Sequence, residues 1–398
     1  MPSISIIDRA RTTLARHRVL FLALLLYLPL IFSGYGSDVD TFRVLDAGRN
    51  FFTTADYVPS RRPGYLVYEL AVFVLDRLGG SVLANLGSLL WALVAVACFQ
   101  RICRRHHIPN SGLLASILVI HPVFWYNATA TLDYLWALGI LMAGFDLLEQ
   151  ERFGWAGLAL GLAVGCRLSS LVVAALLLGY AWLRFPRKRL QTAGGGALAA
   201  LLGCLAYVLP WDFAEWRPSF WGVSAGSPAL WSPLMQLGRF AYKNLYFWGV
   251  PAGLILIVVL FLSMRNDPWW KARDGALLAG LCGLVLLGSE VLFLRFPIEV
   301  EYLLPTLPFL LLLAGSGVRS RRILWLLLIL VLSFNFININ LARPNNPGQA
   351  SSARIGLWIE PGYLVQEMRT RLVLLGCDTH ACYDERMPQK PGLAAPDE

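Results

Sequence analysis

Apolar runs recur along this chain from residue 19 to residue 338, and most stretches between them, apart from 34–64 and 211–244, are short and, at alternate turns, basic. A run of about twenty apolar residues can satisfy its backbone in lipid only by closing its hydrogen bonds within a helix. With 57% hydrophobic residues and a mean hydropathy of +0.58, the 398 residues are too apolar for a soluble globular protein of this size. The pattern predicts an all-α polytopic membrane protein. A net charge of +9 does not point to nucleic acid, because the cations sit in small clusters such as RICRRHH at 101–107 and RFPRKR at 184–189.

Those clusters set the topology. Arg9, Arg11, Arg16 and Arg18 precede the first run and no small-residue cleavage site follows it, so it reads as a retained helix with a cytoplasmic N-terminus. Residues 65–78 are apolar but reach only about 21 Å as a helix, against a hydrocarbon core of about 30 Å. They also carry Glu69, Asp76 and Arg77. If they crossed, RICRRHH would land outside, so they are expected to lie on the outer surface as an amphipathic helix. Residues 153–183 are too long for one helix and have charged turns at both ends, which predicts two helices with Arg167 at their outer hairpin. The total is about eleven spans, N-terminus inside and C-terminus outside. Residues 1–339 form the transmembrane unit and 340–398 a short extracytoplasmic tail, in a bacterial or archaeal plasma membrane. In an oxidising compartment Cys377 and Cys382 of that tail can pair, the alternative being two free thiols.

The first outer loop, residues 34–64, is where charge concentrates in a chain with only 15% charged residues. Asp38 and Asp40 open a helix whose Phe42, Leu45 and Phe52 have helical spacing. Ser37 is the expected N-cap, with Asp40 in the reciprocal position of a capping box. A D-x-D pair can also hold a divalent cation such as Mg or Mn, or a carboxylate here can act without metal as general base toward an acceptor hydroxyl. Arg61 and Arg62 follow, and Arg167 and Arg295 occupy outer helix ends. A guanidinium binds phosphate through a planar fork, so all four are candidates for a phosphate-bearing lipid. The competing reading pairs them with Glu69, Asp133, Glu299 or Glu301, or lets them snorkel to headgroups. Asp133, entering a later span, is either a site residue or a helix N-terminal acid.

Five stretches together resemble the GT-C superfamily of polytopic glycosyltransferases, which includes protein O-mannosyltransferases and the lipid A aminoarabinose transferase. They are SDVDTFR, SRRPGYLVYEL, TLDYLWAL, GLALGLAVGCRLSSL and RFPIEVEYLLPTLPFLLLLAG. The resemblance covers roughly residues 15 to 320. It implies sugar transfer on the outer face from a polyprenyl-phosphate-linked donor to a glycan, lipid or protein acceptor. It further implies Asp38 as base, with Asp40 second, Asp133 as a supporting acid and Arg295 as donor-phosphate contact ahead of Arg61, Arg62 and Arg167. The chain departs from the aminoarabinose transferase in having Asp-Val-Asp in place of an adjacent Asp-Glu pair, and in its short tail. The rival classes are a polyprenyl-lipid transporter or flippase, which calls for charge near mid-membrane and repeat symmetry, and a glycan ligase or polymerase of the same architecture. The topology predicts that a phosphatase fused to the C-terminus is active outside the cell, and a fusion active only in the cytoplasm overturns it.

Overall fold

The computed structural model describes residues 6–61, 63–209, 211–212, 217–218, 232–266, 273–295, 297–318, 320–344 and 353–387. The helices in order are α1 (Ile6–Tyr27), α2 (Val39–Thr54), α3 (Leu66–Arg105), α4 (Ser111–Ile120), α5 (Pro122–Asn127), α6 (Asp133–Glu149), α7 (Phe153–Cys166), α8 (Ser170–Arg184) and α9 (Arg189–Val208). They continue as α10 (Pro233–Trp248), α11 (Val250–Asn266), α12 (Arg273–Arg295), α13 (Thr306–Gly317), α14 (Arg321–Phe334), α15 (Tyr363–Val373) and α16 (His380–Arg386). Strands β1 (Trp211–Asp212) and β2 (Arg217–Pro218) form a two-residue pair, and β3 (Ile337–Pro344) and β4 (Ala353–Pro361) an antiparallel hairpin. The protein is a largely helical integral membrane protein, with exposed apolar side chains such as Phe21, Leu25, Val258 and Leu287 spread along its helices.

Among the described residues, Leu66–Arg105, Pro186–Val208 and Asp274–Arg295 are each long and apolar enough to cross a membrane alone. The pair Pro233–Trp248 and Val250–Phe261, bent by 93°, adds a fourth if counted as one span. That bend sits at Gly249, whose φ of +75° is open to glycine and whose added Cβ would meet the Phe334 ring at 2.7 Å. α3 leaves helical geometry at Gly79 and Gly80, dividing 66–78 from the longer stretch that follows. α7 and α8 meet at an extended Arg167, as two helices joined by a hairpin.

Without a hydrophobic force between helices in lipid, tight packing depends on small residues that let backbones approach. α7 and α9 do this: a Cβ on Gly157 would lie 2.2 Å from the carbonyl oxygen of Gly195, and one on Gly195 would lie 2.4 Å from that of Phe153. Buried amides then fix the loops at the ends of the helices. Asn85 donates to the carbonyls of Ile31 (2.9 Å) and Gly34 (2.8 Å) and accepts from the Thr131 hydroxyl (2.9 Å), which ties the start of the first outer loop to α3 and to the turn before α6.

The hairpin is a feature the sequence reading did not include. Ile337, Ile339 and Leu341 alternate with Asn338 and Asn340, and pairs such as Ile339 with Ile359 align across it, a period of two that is short beside the apolar runs preceding it. Cys377 and Cys382 are joined in a disulfide.

The α7–α9 contact yields a stability contrast. Gly157→Ala is expected to cost about 1–3 kcal/mol through overpacking and to lower the unfolding temperature in detergent. Gly154→Ala, with nothing within 4 Å of its added Cβ, is expected to leave it unchanged or raised.

Candidate active site

The candidate site forms where α2, α6, the α7–α8 hairpin, the turn before α13 and α15 meet. Asp38, not Ser37, is the N-cap of α2: its carboxylate accepts from the Asp40 N–H at 2.8 Å. Ser37 is drawn away because its N–H donates to the Tyr126 hydroxyl (3.1 Å), with which its Oγ also bonds (2.6 Å), and because Oγ donates to Glu367. The structure thus moves the capping role onto the residue expected to be the base. Asp40, expected as a partner in the cap, is instead ion-paired to Arg61 and, at 3.2 Å, to Arg43.

Asp133 is fully buried and divides its two oxygens between two cations. Oδ1 accepts from Arg61 Nη2 at 2.8 Å and Oδ2 from Arg167 Nη1 at 2.6 Å. Removing one partner of a buried pair of this kind typically costs about 3–5 kcal/mol, because the other charge is left stranded. Aromatic faces complete the enclosure. Arg167 lies 3.9 Å from the centre of the Tyr134 ring and 5.1 Å from that of Tyr302, and Arg61 lies 4.5 Å from that of Tyr65.

Three carboxylates outside the expected catalytic set face this cluster, two of them, Glu299 and Glu301, expected only as ion-pair partners for the arginines. Tyr134 donates to Glu299 at 2.7 Å, Tyr363 donates to Glu301, and Glu367 takes the Ser37 hydroxyl. Glu299 and Glu301 stand four and six residues after Arg295 in the same motif, and their spacing around Val300 is the signal for them in the sequence. Glu367 and Arg371 lie in a short amphipathic piece of the tail, near Leu364 to Leu375, which the sequence alone marks as a helix but not as part of the site. Arg371, 1% exposed, anchors α15 by donating to Ser33 Oγ (3.1 Å) and to the carbonyls of Thr129 (3.0 Å) and Tyr126 (3.3 Å).

This crowding of acids is felt by Asp38. Burial first, then the charge of Glu299, with Glu367 and Asp133 adding and Arg61 opposing, pushes its carboxyl up to about 7. Burial and Glu299 likewise push Glu301 up to about 7. An apolar groove of about 470 Å³ reaches the cluster from the side, walled by Leu171, Val172 and Leu292 and ending at Arg167, Tyr302 and Tyr65.

Of the residues singled out from sequence, Asp38, Asp40, Arg61, Asp133 and Arg167 come together. Arg295 does not: it stands exposed at the end of α12, where its carbonyl accepts from Gln236. Arg62 lies outside the described residues. The D-x-D pair does not fit a divalent cation, since both Asp40 oxygens face arginines and one Asp38 oxygen is spent on the cap. Among the described residues no group of three His, Cys, Asp or Glu could hold a metal.

Two solved structures of ArnT from Cupriavidus metallidurans resemble this architecture. The one bound to undecaprenyl phosphate matches at 17% identity and a TM-score of 0.54, over 75% of this chain and 59% of that one. The apo form matches at 16% and 0.55, over 77% and 60%. The fold is GT-C. The chain spans about three fifths of the length of those ArnT structures. No protein-family model matches the sequence, and no curated protein matches it. Within this fold, Arg61, Asp133 and Arg167 sit at one end of the helical bundle and the apolar groove opens beside them.

A raised carboxyl in the folded state has a definite signature. The unfolded chain releases the Asp38 proton near pH 4, while the folded chain holds it to about pH 7. The unfolded state therefore binds fewer protons across that window, and this group lowers stability as pH rises through it. Asp38→Asn keeps a capping oxygen and removes the charge. Its gain in unfolding temperature over wild type is expected to be small at pH 4 and larger at pH 8, and an equal gain at both would show that Asp38 titrates normally.

Proposed function

We propose that this protein is a membrane glycosyltransferase that moves a sugar from a polyprenyl-phosphate donor to an acceptor hydroxyl on the outer face, with inversion at the anomeric carbon. The observation that carries the reading is the apolar groove ending on Arg167: it offers hydrocarbon walls to a lipid chain and a guanidinium to its phosphate. Each guanidinium has five N–H donors; Asp133 takes one from Arg61 and one from Arg167 and Asp40 takes another from Arg61, so donors remain for phosphate oxygens. Asp133 serves to hold both forks in place. The ArnT structure with undecaprenyl phosphate supports a lipid of this class.

In the proposed step the acceptor oxygen attacks the anomeric carbon while the carbon–oxygen bond to phosphate breaks. The polyprenyl phosphate leaves with the bonding pair, and its growing charge is met by Arg167 and Arg61 in a site walled by tyrosines. The acceptor proton passes to the Asp38 carboxylate. A base with a pKa near 7 is matched to neutral operation, strong enough to accept the proton and ionised in a useful fraction. Asp40 orients Arg61, and Arg295 is assigned no contact. No step runs through a metal ion. The sugar is left open, as is the choice among glycan, lipid and protein acceptors.

The test is to incubate the purified protein with radiolabelled polyprenyl-phosphate sugars and candidate acceptors. Transfer is expected from at least one donor, with Asp38→Asn lowering the rate by about 10²–10⁴ at unchanged donor binding, and Arg167→Ala weakening donor binding. Full activity of Asp38→Asn removes it as base. Movement of the donor across vesicles without sugar transfer would make the protein a transporter.

A further inference from the structure

A second groove lies at the ends of α1, α4 and α14 that are remote from the candidate site. It has a volume of about 540 Å³ and forms between the start of α1's apolar run, the end of α3, the start of α4 and the start of α14. Arg18, Arg104 and Arg321 converge on it from three different helices, and no Asp or Glu lines it. The inside rule accounts for cations on this side of the membrane, but not for their meeting around one cavity without counter-charge.

The last turns of α3 sharpen the point. Arg101 and Arg105 are both satisfied by Asp146, at 2.7 and 3.2 Å, whereas Arg104, between them in sequence, faces the groove. Among the described residues Arg18, Arg104 and Arg321 have no carboxylate partner. α4 also begins here, with no side-chain cap at Asn110, so the positive end of its dipole adds to the same field.

The groove is not only polar. Leu113 and Trp325 form part of its wall, and the surface continues along α1 and α14 through exposed Phe21, Leu25, Leu326 and Ile329. A ligand seated here has its anionic part among three guanidiniums and its apolar part along the bundle. Tryptophan at the junction is usual for the headgroup level of a bilayer. The helices α1, α4 and α14 run from this groove toward Ser33, His121 and Asn335 near the candidate site. For α14 that distance is on the order of 20 Å, so the two sites are separate.

We propose that this groove binds the phosphate headgroup of an anionic phospholipid from the leaflet on the N-terminal side of the membrane, with an acyl chain lying along α1 and α14. The phosphodiester satisfies three arginines that have no carboxylate partner among the described residues, and it joins α1, α3 and α14.

Unfolding of the detergent-purified protein would be followed while titrating dioleoylphosphatidylglycerol, dioleoylphosphatidylcholine or inorganic phosphate. The anionic lipid is expected to raise the unfolding temperature saturably, the zwitterionic lipid and free phosphate not to. In the triple variant Arg18→Gln, Arg104→Gln and Arg321→Gln the apparent affinity is expected to fall at least about tenfold. A charge-matched control, Arg187→Gln, Arg189→Gln and Arg322→Gln, is expected to respond like wild type. An equal response of the two triple variants overturns the proposal, and a response to phosphate as strong as to the lipid reduces it to a free-anion site. Because the triple variant can fail to fold, a diazirine-bearing phosphatidylglycerol would also be crosslinked to the wild-type protein. Label on peptides of 100–116 or 321–325 supports the groove, and label confined elsewhere overturns it.

Discussion

The candidate site depends on one buried carboxylate shared between two guanidiniums. Asp133 has no exposed surface, and neither Arg61 nor Arg167 is close to fully exposed. Charges so placed are stable only when geometry and hydrogen bonding are complete, since each has given up its hydration. The surroundings follow from that requirement. The tyrosines at 65, 134 and 302 pack their ring faces against the guanidiniums, and Asp40 takes a second Arg61 donor beside the one Asp133 takes. The extended backbone at Arg167, between two helices, lets a side chain from the hairpin reach α6.

Much of this arrangement was legible in the sequence because membranes restrict where charge can go. An aspartate at the start of a span, an arginine in a glycine-rich hairpin and a doublet of acids just after the first apolar run are costly there, and the residues chosen on that ground do meet. Arg295 was chosen by the same logic and stands apart. Its position at a helix end is equally well served by exposure, and the acids four and six residues later are the ones that turn inward. The cap of α2 was misread for a related reason: Ser37 and Asp38 are both good N-caps, and only the tertiary pull of Tyr126 and Glu367 on Ser37 decides between them.

The least legible part was the tail. A hairpin of alternating Ile and Asn, and a helix whose Glu367 and Arg371 lie one turn apart, carry no signal strong enough to compete with a dozen apolar runs. Their importance arises from contacts at great sequence distance, which local patterns cannot express. Glu367 also adds its charge to the field that raises the Asp38 carboxyl, so the chemistry of the first loop is set partly by the far end of the chain.

The order in which the chain is made gives those contacts a further meaning. Ser37 meets Glu367 across 330 positions, Ser33 meets Arg371 across 338, and the His380 N–H bonds Asp46 of α2 across 334. α16 is linked to the turn after α15 by the Cys377–Cys382 disulfide. Every helix of the bundle is therefore synthesised before the residues that fasten α2 from above. The residues that bond Ser33, Ser37 and Asp46 emerge after α14, so a ribosome-bound intermediate holds Arg61 and Arg167 but not the finished environment of Asp38. Completion of the site is in this sense a late event of biogenesis, separated in time from insertion of the helices that support it.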